Sequence, residues 1–223
     1  MLYQFEFNDV LAAWPELLHG TINTLWLSAV SVILGLIVAV AGAMVKTLGG
    51  KPVRFVVDCY IEVIRNTPFL VQVFVIFFGL PSLGLRLSPN TAAIVAMVVN
   101  FAAYGIEIIR AGIESISKGQ IDAGKALGLG PLRIFRLVLF KPALQAIYPA
   151  LTSQIILLML NSSICSAIAA TELTAVAGDI QSRTFRSFEV YTIVTAVYFG
   201  ISLIFWAFFS GIHRFFVKTN DER

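Results

Sequence analysis

The chain has 223 residues, of which 58% are hydrophobic and 13% are charged, and its formal net charge is +3. This composition indicates an integral membrane protein and excludes a soluble globular domain. Long apolar runs separate the basic residues, which therefore form no continuous soluble face, and nucleic acid is excluded as a partner.

Five apolar stretches approach or reach the roughly 20 residues that a helix needs to cross a bilayer. We therefore predict an all-α integral membrane fold with about five transmembrane helices, in a single domain 1–223. The second stretch is short by itself. It gains length if its helix continues into the following loop, or if the amphipathic segment from Val53 to Arg65 lies along the interface and leads into it. The predicted spans are 22–45, 66–81, 89–112, 142–168 and 190–213.

The first apolar stretch is expected to stay in the membrane as an anchor. Residues 1–21 contain no Lys or Arg but include Glu6, Asp9 and Glu16. A cleaved signal peptide would begin with basic residues, so this start does not fit one.

The basic residues predict the orientation of the five spans. The Lys and Arg residues number 16, and all except Arg86, Arg183 and Arg186 fall on one side of the membrane in this arrangement. Short loops rich in Lys and Arg stay in the cytoplasm. We therefore predict a multi-pass membrane protein, with its N-terminus outside and its C-terminus in the cytoplasm.

The longest inner loop, 115–141, is basic and rich in glycine, and its pattern predicts two short helices. Ser117 and Gln120 have the spacing of a capping box at the start of the first helix. Gly128 can end that helix, and Pro131 suits the first turn of the second. Helices this short need contacts for stability, so the loop is expected to meet a partner.

Catalytic and nucleotide-binding functions are not supported by the sequence. The segment Gly119–Lys125 has most of a phosphate-binding loop, but Ala126 replaces the Ser or Thr that would bind magnesium, and no buried strand precedes it. His19 and His213 fall on opposite sides of the membrane, and no hydrolase or metalloprotease motif is present. We expect no catalytic residue, cofactor or metal site in this chain.

Polar residues within the third span share one helical face. Asn100, Tyr104 and Glu107 are separated by four and three residues, so this face is expected to look into the bundle. Glu107 is followed three residues later by Arg110. An intrahelical ion pair is therefore the favoured interpretation of Glu107, and substrate contact is the alternative.

A second polar stripe is predicted in the fourth span. Gln154 and Asn161 are seven residues apart and share a face, with Ser162 beside them. These residues either line a translocation path or pack helices together, and both interpretations remain open. Gln72 in the second span is a weaker candidate of the same kind.

The inner loop GQIDAGKALGLGPLRIFRLVLFKP resembles the cytoplasmic EAA signature of bacterial ABC-importer permeases. Asp122, Ala123, Gly124 and Gly128 match its first half, although Asp122 replaces the usual Glu and Gly124 the second Ala. Pro142 lies one residue later than in the usual pattern. The segments 62–81, 102–120 and 171–177 extend the resemblance to the polar amino-acid permeases of that superfamily.

The resemblance implies a permease subunit of an ATP-driven importer of polar amino acids or opines in the bacterial inner membrane. Its implied partners are a cytoplasmic ABC ATPase dimer that binds ATP and magnesium, an external solute-binding protein, and a homologous permease or a second copy of this chain. The helix pair of the inner loop would be the cytoplasmic coupling helix pair that receives the movement of the ATPase during alternating access. Residues implied in this coupling are Asp122, Ala123, Gly124, Lys125, Gly128, Arg133 and Arg136.

The alternative from another class is a self-sufficient secondary amino-acid transporter driven by an ion gradient. Such carriers often contain internal repeats and ionisable groups in mid-membrane. The sequence shows no clear repeat, and Glu107 is the only strong acid within a predicted span. These features favour the ATP-driven permease.

Overall fold

The computed structural model describes residues 4–216, without the side chains of Lys118, Pro131, Leu132, Phe135, Leu139, Phe215 and Phe216. These residues form α-helices joined by short turns, and the described range contains no strand. The all-α membrane fold predicted from the sequence is confirmed. The helices are α1 (Asn8–Ala12), α2 (Trp14–Leu48), α3 (Lys51–Arg65), α4 (Phe69–Phe74), α5 (Pro89–Glu114), α6 (Lys118–Ala126), α7 (Pro131–Ile134), α8 (Phe140–Asn161), α9 (Leu173–Thr184) and α10 (Ser187–Phe216).

Four helices of the described range are long and apolar enough to cross a membrane. They are α2, α5, α10, and α8 together with its 3-10 extension to Ile168. A fifth crossing is broken, because α3 and the segment Phe69–Leu83 meet at an angle of 110°. The break falls at Thr67-Pro68, where proline disfavours helical backbone in the residue before it. The short second span of the sequence is therefore preceded by a separate, sharply inclined helix.

Two π-helical turns, Val75–Gly79 and Phe135–Leu139, lie just before prolines. Pro81 and Pro142 would clash with carbonyl groups of the preceding turn in a regular helix, and a wider turn relieves that clash. Through the second π turn, α7 continues into α8. The second helix of the predicted loop pair is thus an extension of α8, which joins the loop directly to a membrane span.

Helices α2 and α5 run parallel and pack closely along their lengths through small residues. A Cβ atom on Gly105 would lie 2.7 Å from the Cβ of Ala39, so no larger side chain fits there without movement. Small residues let membrane helices approach in this way. Both helices end near α6, at what we call the α6 end of the bundle, and both begin near α9, at the α9 end.

Helix α8 runs antiparallel to α5 and encloses the main apolar core with it. Met97 and Phe101 of α5 pack in this core with Leu158 of α8 and with Val73 of α4. Helix α10 contributes little to the interior, since only 6% of its apolar 18-residue stretch is buried. Most of the α10 surface is therefore available to lipid.

We predict that Gly112→Ala destabilises the protein, because α5 and α8 touch at this glycine. A Cβ on Gly112 would lie 2.0 Å from Cγ2 of Ile147 and 3.2 Å from the carbonyl oxygen of Ala143. Displacing Ile147 should cost about 2 kcal/mol, measured as a lower melting temperature in detergent. Gly200→Ala in α10 is the control, since nothing lies within 4 Å of the added atom, and it should be neutral or stabilising. Equal melting temperatures for the two variants would contradict this packing.

Candidate coupling loop and translocation path

The loop at the α6 end exposes all but one of the residues that the sequence implied for coupling. Gly124 is the exception: it is buried, and a Cβ there would lie 3.2 Å from Cγ1 of Ile134. Gly124 thus lets α6 pack closely on the extension of α8. The exposed members of the set are Asp122, Ala123, Lys125, Gly128, Arg133 and Arg136.

The first helix of this loop ends at Gly128, which has a φ of +70°. The Gly128 amide donates to the carbonyl of Lys125 at 2.9 Å, and the Leu129 amide donates to that of Gly124 at 3.1 Å. This pair of hydrogen bonds is a Schellman motif, whose left-handed position favours glycine. Leu127, beside the turn, is 79% exposed. The loop therefore presents a fixed, partly apolar corner to solvent.

The start of α6 differs from the sequence prediction. Ser117 occupies the N-cap position, but its side chain accepts no capping hydrogen bond. Its backbone carbonyl accepts from the Gln120 amide at 3.1 Å. The capping box is therefore not formed, although the helix begins where the pattern placed it.

Gln72 and Asn100, which the sequence assigned to a possible path, meet at the break between α3 and α4. The Asn100 amide donates to Oε1 of Gln72 at 2.9 Å, and both side chains are buried. Nε2 of Gln72 donates to the Ile64 carbonyl at 2.8 Å and to the Thr67 carbonyl at 3.0 Å. Gln72 thus satisfies the carbonyl groups that the end of α3 leaves open.

Tyr104 and Arg65 also meet at this break. The Arg65 guanidinium lies over the Tyr104 ring, 5.3 Å from its centroid. This is the distance of a cation–π contact. The sequence pattern identified the inward-facing tyrosine but gave no sign of its partner, because that partner comes from another helix.

Glu107 pairs with Arg110, as the favoured interpretation held, and it also pairs with a second cation. One carboxylate oxygen accepts from Arg110 Nη2 at 2.9 Å, and the other accepts from Lys46 Nζ. Nζ of Lys46 also lies 2.8 Å from Oδ1 of Asp58, and Arg110 also forms an ion pair with Glu114. Only 20% of the Glu107 side chain is exposed. The network joins α2, α3 and α5 near the α6 end.

The polar stripe of α8 divides into two kinds of residue. Ser162 is buried, and its hydroxyl donates to the Met159 carbonyl at 2.7 Å, so it packs within its helix rather than facing a path. Gln154 and Asn161 are partly exposed and make no hydrogen bond within the described part of the chain. These two amides remain available to a solute or to a second subunit.

An open cavity of about 390 Å³ lies between α3, α5 and α8. Arg65, Glu107, Arg110 and Ser115 supply its polar groups, and Ile147 and Ala150 belong to its apolar wall. This volume falls in the range of small-molecule pockets.

A second buried polar cluster, at the α9 end, was not predicted. Glu172 caps α9 and is fully buried, with its carboxylate accepting from the amides of Thr174 at 2.8 Å and Ala175 at 2.6 Å. The Tyr198 hydroxyl donates to it at 2.7 Å. Burial raises the pKa of Glu172 above its usual value. An acid directly before an apolar helix was the available signal for this cap.

These features define a multi-pass helical membrane protein with a fixed, charged loop at one end and a broken crossing in its core. The chain belongs to the family described as binding-protein-dependent transport system inner membrane components, whose model matches residues 14–218. It is therefore a membrane component of a transport system, as the sequence resemblance indicated.

Relatives with known roles match nearly the whole chain. The glutamine transport system permease protein of Escherichia coli K12 is 36% identical, with 90% of this chain and 93% of the relative covered. The nopaline permease protein of Agrobacterium fabrum is 34% identical, with 89% and 87% covered. The arginine permease protein of Bacillus subtilis is 33% identical, with 97% and 99% covered.

Solved structures agree with this family. An amino acid ABC transporter crystallised with histidines contains a chain that is 37% identical, with a TM-score of 0.89 over 95% of this chain and 99% of its own. An inward-facing methionine ABC transporter has a TM-score of 0.73 at 23% identity, over 89% and 94% of the two chains, and shows the shared fold. The alternative of a gradient-driven secondary transporter gains no support from these matches.

Proposed function

We propose that the chain is the permease subunit of an ATP-driven importer for polar amino acids or opines. The named relatives serve glutamine, nopaline and arginine transport, which differ in side-chain charge and size. What these solutes share is the α-amino-acid part, so the likeness supports the class of solute. An external solute-binding protein would deliver the solute and supply much of the selection.

The observation that carries this proposal is the loop of α6, Gly128 and α7. Its charged residues are exposed, its turn is held by two hydrogen bonds, and it joins α5 to α8 directly. A cytoplasmic ATPase dimer that closes on ATP and magnesium would push on this loop, with Asp122, Lys125, Arg133 and Arg136 as charged contacts. Because α7 continues into α8, the push would reach the membrane span without a flexible joint.

The proposed orientation places the α6 end in the cytoplasm and the α9 end outside. The asymmetry of Lys and Arg between the two sets of loops supports it. The ATPase dimer then meets the α6 end, and the solute-binding protein meets the α9 end. A homologous permease, or a second copy of this chain, would complete the path and cover exposed apolar faces. ATP and magnesium would bind to the ATPase and not to this chain.

The proposed path follows the broken crossing and α8. Gln72 and Asn100 hold the break, Tyr104 lies beside it, and Gln154 and Asn161 supply partly exposed amides on α8. The ion network around Glu107 lies at the end of this region near α6. Rotation of α5 against α8 would open one end of the path as the other closes.

An uptake panel tests the proposal. The chain is reconstituted in liposomes with the ABC ATPase and solute-binding protein of its own transport system. Import of radiolabelled L-glutamine, L-arginine, L-histidine, nopaline and octopine is then measured with ATP supplied on the ATPase side. We expect import of at least one of these solutes, dependent on the binding protein. Import of none of them, by a complex that hydrolyses ATP, would contradict the solute class.

A further inference from the structure

Arg65 lies beside the middle of α5, away from both ends of the membrane-crossing bundle. The joint between α3 and α4 rests against residues 99–104 of α5, since the Tyr60 hydroxyl donates to the Val99 carbonyl at 2.6 Å and Asn100 donates to Gln72 at 2.9 Å. Arg65 itself covers Tyr104. These residues are halfway along α5, which runs from Pro89 to Glu114.

No carboxylate of the described part of the chain pairs with Arg65. The nearest acid along α3 is Glu62, whose carboxylate accepts from the Asn66 amide at 2.8 Å. Glu107, which shares the cavity with Arg65, is bound on both oxygens by Lys46 and Arg110. A charge at mid-membrane is costly, and such residues normally pair or serve transport. Among the described residues, Arg65 is therefore a cation without an anionic partner.

The surroundings of Arg65 leave room for that anion. The guanidinium borders the open cavity of about 390 Å³ between α5 and α8, and the side chain is exposed in the single chain. The α5 residues that line the cavity lie between 107 and 112, so the cavity extends from Arg65, beside Tyr104, toward the α6 end of the bundle. Arg65 stands at the deep end of this cavity, away from the headgroup layer, where a solute passing through the protein fits better than a lipid phosphate.

We propose that Arg65 binds the α-carboxylate of the transported amino acid at the joint between α3 and α4. A planar guanidinium matches a carboxylate with two parallel hydrogen bonds, and the ring of Tyr104 holds it in place. The α-carboxylate is common to all solutes of the proposed class, so one arginine can serve any of them. This inference rests on the proposed function.

A purely structural role for Arg65 makes a different prediction. Arg65 is the basic residue in the last turn of α3, where any cation would interact with the helix dipole. Lysine would serve that role as well as arginine. It would not replace a two-bond contact with a carboxylate, because an ammonium group is a point charge.

The test uses the reconstituted complex and three variants. We expect Arg65→Gln to lower the import rate about 10- to 100-fold, the value of a lost charge-assisted pair of hydrogen bonds, and Arg65→Lys to lower it by a smaller factor. Arg54→Gln is the matched control on the same helix, since Arg54 is exposed and donates only to the Thr47 carbonyl. It should import within twofold of the wild type. An import rate equal to that of the wild type in either the Arg65→Gln or the Arg65→Lys variant would overturn the proposal.

A second measurement compares two ligands that differ only at the α-carboxylate. Binding of an amino acid imported in the uptake panel and of its α-carboxamide, such as L-glutamine and L-glutaminamide, is compared by ligand-observed NMR on the permease–ATPase complex without binding protein. We expect the carboxamide to bind at least about tenfold more weakly, and the difference to vanish in Arg65→Gln. Equal binding of the two compounds to the wild type would refute the carboxylate contact. Failure of the wild type to import any panel member would instead count against the proposed function.

Discussion

Gly128→Arg is expected to abolish ATP-driven import while the chain still folds and inserts. Gly128 has a φ of +70°, and nothing lies within 4 Å of an added Cβ, so a side chain leaves the backbone there into open space. The long cationic side chain would instead project from the exposed corner of the loop into the proposed ATPase cleft. Import and substrate-stimulated ATP hydrolysis should both fall at least about 100-fold, because one blocked contact uncouples the whole movement.

The Gly128→Ala variant distinguishes the effect of side-chain size from the effect of backbone strain. Both substitutions place a side chain in the left-handed region, at a cost of about 1–2 kcal/mol. Only arginine adds volume at the partner surface. Alanine should therefore retain most of the import, and both variants should melt at similar temperatures in detergent. Retention of ATPase binding and coupled import in Gly128→Arg would show that the loop is not the contact.

Glu172→Ala is expected to cause the largest loss of stability. The Glu172 side chain is fully buried and accepts hydrogen bonds from two backbone amides of α9 and from the Tyr198 hydroxyl. Alanine would leave the two amides without their side-chain acceptor and would remove one of the partners of the Tyr198 hydroxyl, which keeps Thr174 Oγ1 at 3.0 Å, at a cost of about 3 kcal/mol. Thermal unfolding in detergent measures the loss. Glu16→Ala is the control, because its ion pair with Arg183 is exposed and contributes little. Similar melting temperatures for the two variants would contradict the role of Glu172.

The stability contributed by Glu172 should also depend on pH. Burial raises its pKa in the folded protein, so folding favours the protonated carboxyl group. This contribution is complete below the pKa of an unfolded glutamate, about 4.3, and is lost as the pH rises through the higher pKa of the folded state. Glu172→Gln has no such titration. The melting temperature of the wild type relative to Glu172→Gln should therefore fall between acidic and neutral pH, and a constant difference would contradict the shift.

The sequence predicted the faces of helices better than their partners. Spacing placed Asn100, Tyr104 and Glu107 on one inward face, and the structure brings polar partners to all three. Hydrophobic periodicity describes a single helix, so it cannot identify Lys46 as the partner of Glu107 across 61 residues. The direction of the break after Arg65 likewise depends on the packing of α3 against α5.

Two local features of the loop show the same limit. The turn at Gly128 was predictable, because glycine after an amphipathic segment is a strong signal for the end of a helix. The continuity of α7 with α8 was not, since Pro142 looks like a helix breaker unless a π turn precedes it. That continuity makes the loop a rigid extension of a span rather than a separate pair of helices.

The energy source of import distinguishes an ATP-driven permease from a secondary transporter. The purified chain is reconstituted in liposomes with and without its ATPase, with the solute-binding protein present, and uptake is followed under ATP or under an imposed proton or sodium gradient. We expect uptake only when both the ATPase and ATP are present, and we expect it to be unchanged by ionophores that collapse the gradients. Gradient-driven uptake by the chain alone would contradict this expectation.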